Sequence, residues 1–136
     1  MDMQMVKYGN ELQQIGGNLI KVSKQMHQNI SDEIIENAEL FYIELQNATN
    51  IVHSSLRSLE SIKAPKVIEE EHHLLIISFK GFIEIIKELL TTIDLNTLTI
   101  NESDFENGLA NLKLIENKVG LASREIIKKI LLTHSD

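Results

Sequence analysis

The chain contains no cysteine, and that absence removes several kinds of chemistry at once. Disulfide scaffolds, thiolate-ligated zinc, iron–sulfur clusters and thiol nucleophiles all need sulfur that the sequence does not supply. Tryptophan is absent too, and four Phe and two Tyr are the whole aromatic complement. Proline occurs once and glycine six times in 136 residues. An all-β fold needs turns at short intervals, and turns consume Gly, Pro, Asn and Asp. Asn is plentiful here but lies spread along helical patterns. The most apolar stretch, residues 74–90, contains Lys80, Glu84, Lys87 and Glu88, so it is no transmembrane span. Residues 1–10 carry Asp2 and Lys7 and no apolar h-region, so no signal peptide is read there. A cytoplasmic protein is the expectation; a secreted domain already cut from its leader would read the same way.

What is present is branched aliphatic. Hydrophobic residues make up 43% of the chain, mostly Ile and Leu, which suit interdigitating helices. The length is that of one domain, 1–136, large enough to bury roughly two-thirds of its unfolded surface. Net charge is −7 and uneven. Residues 1–30 carry +1, residues 31–94 carry −7 and residues 95–136 carry −1. The acidic middle repels phosphate backbones, so no nucleic acid partner is expected.

Four helices are predicted, over about 4–28, 32–62, 65–93 and 102–133. In the first, Met5, Tyr8, Leu12, Ile15, Leu19, Val22 and Met26 form an unbroken heptad seam. Gly9, Gly16 and Gly17 sit inside it. Two readings fit the Gly16-Gly17 pair: close approach of a neighbouring helix, or a local kink. Ser31 is a suitable N-cap for the second helix, with Asp32 and Glu33 in its first turn. Its apolar line runs from Ile34 through Phe41, Leu45, Val52 and Leu59 to the Ala64-Pro65 break. The third helix carries Ile68, Leu75, Phe79, Phe82, Ile86, Leu89 and Ile93. Residues 94–100 read as a loop, with Leu95, Leu98 and Ile100 expected to tuck onto the end of the fold. Asn101 then caps a fourth helix that carries Phe105, Leu112, Ile115, Val119, Ala122, Ile126 and Ile130 on one face. Similar lengths and mostly short links predict an all-α antiparallel up-down-up-down four-helix bundle without β-sheet.

The run Glu69-Glu70-Glu71-His72-His73 holds two overlapping Glu-x-x-His pairs. Di-iron carboxylate bundles need such a pair on each of two helices, and a second is missing here. Lys24, Asn50 and Leu131 precede His27, His53 and His134 at that spacing. Glu71 and His72 remain the candidates for a single metal, since imidazole and carboxylate suit zinc or nickel. The simpler reading is an acidic helix start with His73 exposed and His72 half-buried at the edge of the apolar stripe. Glu71 points along the line of Leu75, Phe82 and Leu89. It is expected to reach water at the helix end, or to pair with Lys63 across the Pro65 turn. A buried functional carboxylate is the third option.

No H-E-x-x-H, G-x-S-x-G, P-loop or dinucleotide fingerprint is present. Neither Arg57 nor Arg124 has a His at the R-x4–6-H spacing of helical-bundle ribonucleases. Asn47-Ala48-Thr49 is a sequon by spelling alone. The segment from Leu56 to Leu90 has Leu59, Ala64-Pro65, His72, Leu75, Phe79 and Phe82. It resembles a pattern of small bacterial helical-bundle proteins: a helix end, an Ala-Pro turn, then a helix with an early His. That resemblance implies a bacterial source and no activity.

Eleven of the seventeen residues from Leu74 to Leu90 are Leu, Ile or Phe, over an arc of about 200° where a stripe of about 100° suffices. The surplus residues Ile76, Ile77 and Ile83 are candidates either for wider packing or for an interface, most simply a homodimer. The expected function is therefore a non-enzymatic protein–protein interaction or structural module that acts on a protein partner or on itself, without a cofactor. The alternative is a small-ligand or metal-binding four-helix bundle.

Overall fold

The structure is a computed structural model and describes residues 3–28 and 38–134, without the side chains of residues 23, 25–28, 133 and 134. Helix α1 spans Met3–Gln28, α2 Ala38–Ser61, α3 Glu69–Thr91 and α4 Glu102–His134. A 3-10 turn, Lys66–Ile68, precedes α3, and two short strands, β1 (Ile93–Asp94) and β2 (Thr99–Ile100), lie between α3 and α4. The proposed Ser31 cap, the acids behind it and Ile34 lie outside the described residues, as does the side chain of the seam position Met26. No described helix is long and apolar enough to cross a membrane.

The expected stripes form one core. Met5, Tyr8, Leu12, Ile15 and Val22 of α1 are buried in it, as are Phe41, Leu45, Val52 and Leu59 of α2. Helix α3 contributes Leu75, Phe79, Phe82, Ile83, Ile86 and Leu89, and α4 contributes Leu112, Val119 and Ile126 at a seven-residue repeat. Phe41 and Phe105 meet edge to face, with centroids 5.5 Å apart. Helix α3 packs broadly on both α2 and α4, and α1 packs on α2. The α1–α4 contact is sparse by comparison.

Three local expectations need correction. The expected loop after α3 is instead a small antiparallel pairing of Ile93 with Ile100 and Asp94 with Thr99. The Asp94 carboxylate accepts from the amide of Asn96 at 2.9 Å, which closes the connection as an Asx turn. Leu98 completes it at φ 54° in the left-handed region, which leaves Leu95 and Leu98 exposed and only Ile100 packed on the core. Helix α3 starts at Glu69 rather than Pro65. Pro65 has an extended ψ of 147° and only begins a 3-10 turn, whose last residue, Ile68, is fully buried. The cap at Asn101 is as expected: its side-chain oxygen accepts from the Asp104 amide at 3.2 Å.

The glycines divide in an unexpected way. Helix α1 runs unbroken through Gly16 and Gly17, and a Cβ on either would meet nothing within 4 Å. Neither a kink nor a close helix contact therefore explains them. The close approach is instead at Gly108, where a Cβ would lie 2.5 Å from Leu89 Cδ2 and 3.1 Å from its Cγ. Gly17→Ala should therefore stabilise the protein by up to about 1 kcal/mol through helix propensity. Gly108→Ala should destabilise it by about 1–3 kcal/mol despite the same propensity gain, because Leu89 is buried and must shift. Urea denaturation of the two variants checks the opposite signs.

Candidate functional site

The start of α3 brings four polar side chains together at the boundary with α1 and α4. His72 falls one turn before Leu75–Ile76, and the helical period turns its ring inward. It is 8% exposed, more buried than the half-buried position expected. Tyr8, a member of the α1 seam, presents its hydroxyl 2.7 Å from His72 Nδ1, and the two rings meet edge-on. Tyr8 is fully buried. If the imidazole were the donor, the phenolic proton would be buried without an acceptor. The phenol therefore donates to Nδ1, and the neutral imidazole carries its proton on Nε2. Burial, and secondarily the charge of Glu71, push the Tyr8 hydroxyl well above its ordinary value. Burial, and then the neighbouring His73, hold His72 below 6.5.

Glu71 pairs with Lys129 of α4, not with Lys63. The carboxylate faces the core side of α3, where α4 packs, while Lys63 is exposed beyond the end of α2. The Lys129 hydrogen bond is the main reason the Glu71 carboxyl lies below its ordinary value. The second carboxylate oxygen is buried without a hydrogen-bond partner. Among the described residues, no group of three or more His, Asp or Glu side chains is placed to hold a metal ion. Glu71 and His72 engage Lys129 and Tyr8. His73 is exposed, as expected.

Of the three surplus residues on α3, Ile83 is 3% exposed and belongs to the core, Ile76 is partly buried, and Ile77 is 52% exposed. Leu74, a neighbour of Ile77 one turn earlier, is 53% exposed.

A second site was not foreseen. Where α1 and α4 should meet, a groove of about 770 Å³ opens between them. Gly9, Leu12, Gly16, Gly17 and Ile20 line it from α1. Val119, Gly120, Ile127, Ile130 and Leu131 line it from α4, with Gln13, Ser123 and Glu116 as its polar members. The glycines remove the side chains that would otherwise fill the space. The signal was in the sequence: Gly9, Gly16, Gly17 and Gly120 fall on faces adjacent to two heptad seams. Tyr8, read as a core residue, and Lys129 were also missed as partners of His72 and Glu71.

Two outcomes follow from the polar cluster. His72 has a folded pKa below its unfolded value, so the unfolded chain binds more protons as pH falls through 6.5. Stability should therefore decline between pH 7 and 5.5, and decline further below 4.5 as the Glu71 pair is protonated. In His72→Asn, whose amide can still accept from Tyr8, denaturant unfolding at pH 7 and 5.5 should show a smaller difference than wild type. Tyr8→Phe leaves Nδ1 without its partner and should cost about 1–3 kcal/mol at pH 7.5.

Comparison with protein-family models, with curated proteins and with solved structures finds no match to this chain.

Proposed function

We propose that the protein is a non-enzymatic binding module, an antiparallel up-down-up-down four-helix bundle whose ligand site is the groove between α1 and α4. Contacts between helix ends support that order. Gln4 near the start of α1 donates to the Lys63 carbonyl just after α2, at 3.3 Å. Phe41 and Phe105 meet near the starts of α2 and α4. Leu89 at the end of α3 faces Gly108 near the start of α4, and Ile130 near the end of α4 faces Gly9.

One observation carries the binding reading: an open, mostly apolar groove in which Gly16 and Gly17 have no neighbour to accommodate. Its volume of about 770 Å³ lies within the range of small-molecule sites, roughly 300–1,000 Å³. An apolar opening of this size favours a ligand over a structural role alone. The non-enzymatic reading is supported by the polar cluster, where Tyr8 satisfies His72 and Lys129 neutralises Glu71.

A neutral apolar dye, N-phenyl-1-naphthylamine, tests the site. Its fluorescence should rise on binding and saturate at one dye per chain. Gly16→Phe or Gly120→Leu should weaken binding by about tenfold or more while circular dichroism stays helical, a loss of about 1.4 kcal/mol. Unchanged dye affinity in both folded variants would remove the groove from consideration.

A second reading rests on Leu74 and Ile77, exposed apolar neighbours on α3. They suit a protein partner or a second copy of the chain. If that face joins two copies, sedimentation equilibrium should show a dimer that Ile77→Glu converts into a folded monomer. A monomeric wild type at high concentration would exclude self-association through this face.

A further inference from the structure

The groove reading leaves open what kind of molecule enters, and three observations narrow it. The first is taper. At one end a Cβ on Gly9 would be 3.9 Å from Ile130 Cδ1, so α1 and α4 are close there. Farther along, Gly16 and Gly17 have no neighbour within 4 Å of a Cβ position, so the groove is open there. The wide end is the one lined by Ile20 and Glu116.

The second is shape. The distance along α1 from Gly9 to Ile20 is about 16 Å at 1.5 Å per residue. An extended chain advances roughly 1.2 Å per bond, so an unbranched chain of about a dozen atoms spans the groove. The glycines on both walls admit such a chain close to the helix backbones.

The third is charge. Helix α1 holds Lys7, Lys21 and Lys24 against Glu11, a net +2. From Lys113 onward α4 holds five bases against Glu116 and Glu125, a net +3. These two stretches carry +5 together, so the rest of this −7 chain carries −12. The groove thus lies between the two basic stretches of an acidic protein. Lys24 stands four residues beyond Ile20 and seven beyond Gly17; Lys113 stands seven before Gly120. Both follow the groove line at its wide end and both are exposed. The Arg124 guanidinium lies at the rim, where its Nη2 is 3.7 Å from the Cβ position of Gly120. Glu116 is the one carboxylate among the lining residues.

Resting on the groove reading, we infer that the ligand is a free single-chain anionic amphiphile, its alkyl tail between α1 and α4 and its anionic head at the wide end near Lys24 and Lys113. A second copy presenting the same face would set basic stretch against basic stretch. An amphiphile with a cationic head would meet Lys24, Lys113 and Arg124, which outnumber Glu116 and the Glu106 that follows the same line seven residues before Lys113.

Displacement of N-phenyl-1-naphthylamine from the full chain provides the test. The competitors are sodium dodecanoate, dodecanol and dodecyltrimethylammonium, each below its micelle concentration. Dodecanoate should displace the dye at about tenfold lower concentration than the ammonium compound, the equivalent of about 1.4 kcal/mol. Lys24→Glu with Lys113→Glu should abolish that preference while dodecanol displacement stays unchanged, and added salt should narrow it. Equal or tighter binding of the ammonium compound would overturn the anionic head and leave the apolar groove standing. Failure of the dye and every competitor to bind would overturn the groove reading itself. Co-flotation with anionic phospholipid vesicles, lost in Gly16→Phe, would overturn the assignment to a free molecule.

Discussion

The breadth of the apolar arc on α3 governs the architecture. A helix with Leu, Ile and Phe over about 200° of its surface cannot be satisfied by one neighbour, since a single contact covers an arc of about 100°. Helix α3 is accordingly packed on both α2 and α4, and it supplies Phe79, Phe82, Ile83, Ile86 and Leu89 to the core. Burial of each such side chain contributes about 1.5–3 kcal/mol, so this helix anchors the others. With α2 and α4 both committed to α3, α1 is left to pack mainly on α2. The gap opposite follows: the Ile130 side chain reaches α1 at Gly9, and the groove lies open beside Gly16 and Gly17.

The polar side chains at the start of α3 work with that packing. Tyr8 and His72 tie α1 to α3, and Glu71 and Lys129 tie α3 to α4. Apolar stripes of Leu and Ile can slide by a turn at modest cost, because one aliphatic contact resembles the next. A buried hydroxyl and a part-buried carboxylate are less tolerant, since displacement leaves each without its partner. The two pairs lie at the end where α1 and α4 converge. They therefore hold the narrow end of the groove while the glycines keep the rest of it open.

Much of this was readable from spacing. Met5, Tyr8, Leu12, Ile15 and Val22 of α1, the central stripe of α3, and Leu112, Val119 and Ile126 of α4 are buried as their periods require, while Leu19, Phe105, Ile115, Ala122 and Ile130 are partly buried against them. The Asn101 cap forms as its residue type predicts. These features depend on neighbours within one or two turns, and sequence reports such neighbours directly. Glu71 shows where that ends. The local alternative, Lys63, lies eight residues away, whereas the observed partner Lys129 is 58 residues away on another helix. Ile83 shows the same boundary: its place on the wheel marked it as surplus, and only the position of a second neighbour accounts for its burial.

By itself the sequence determined the helices, their buried faces and the exclusion of cysteine chemistry, because each is a property of residue type and period. Tertiary structure alone decided which faces meet and which stay apart. Gly16 and Gly17 look the same in sequence whether they receive a neighbouring helix or line an empty space. The difference lies in the distance between α1 and α4, and that distance is set by how α3 distributes its contacts. The same holds for His72, whose polar partner was hidden in an apolar seam because Tyr8 carries both a ring to bury and a hydroxyl to donate.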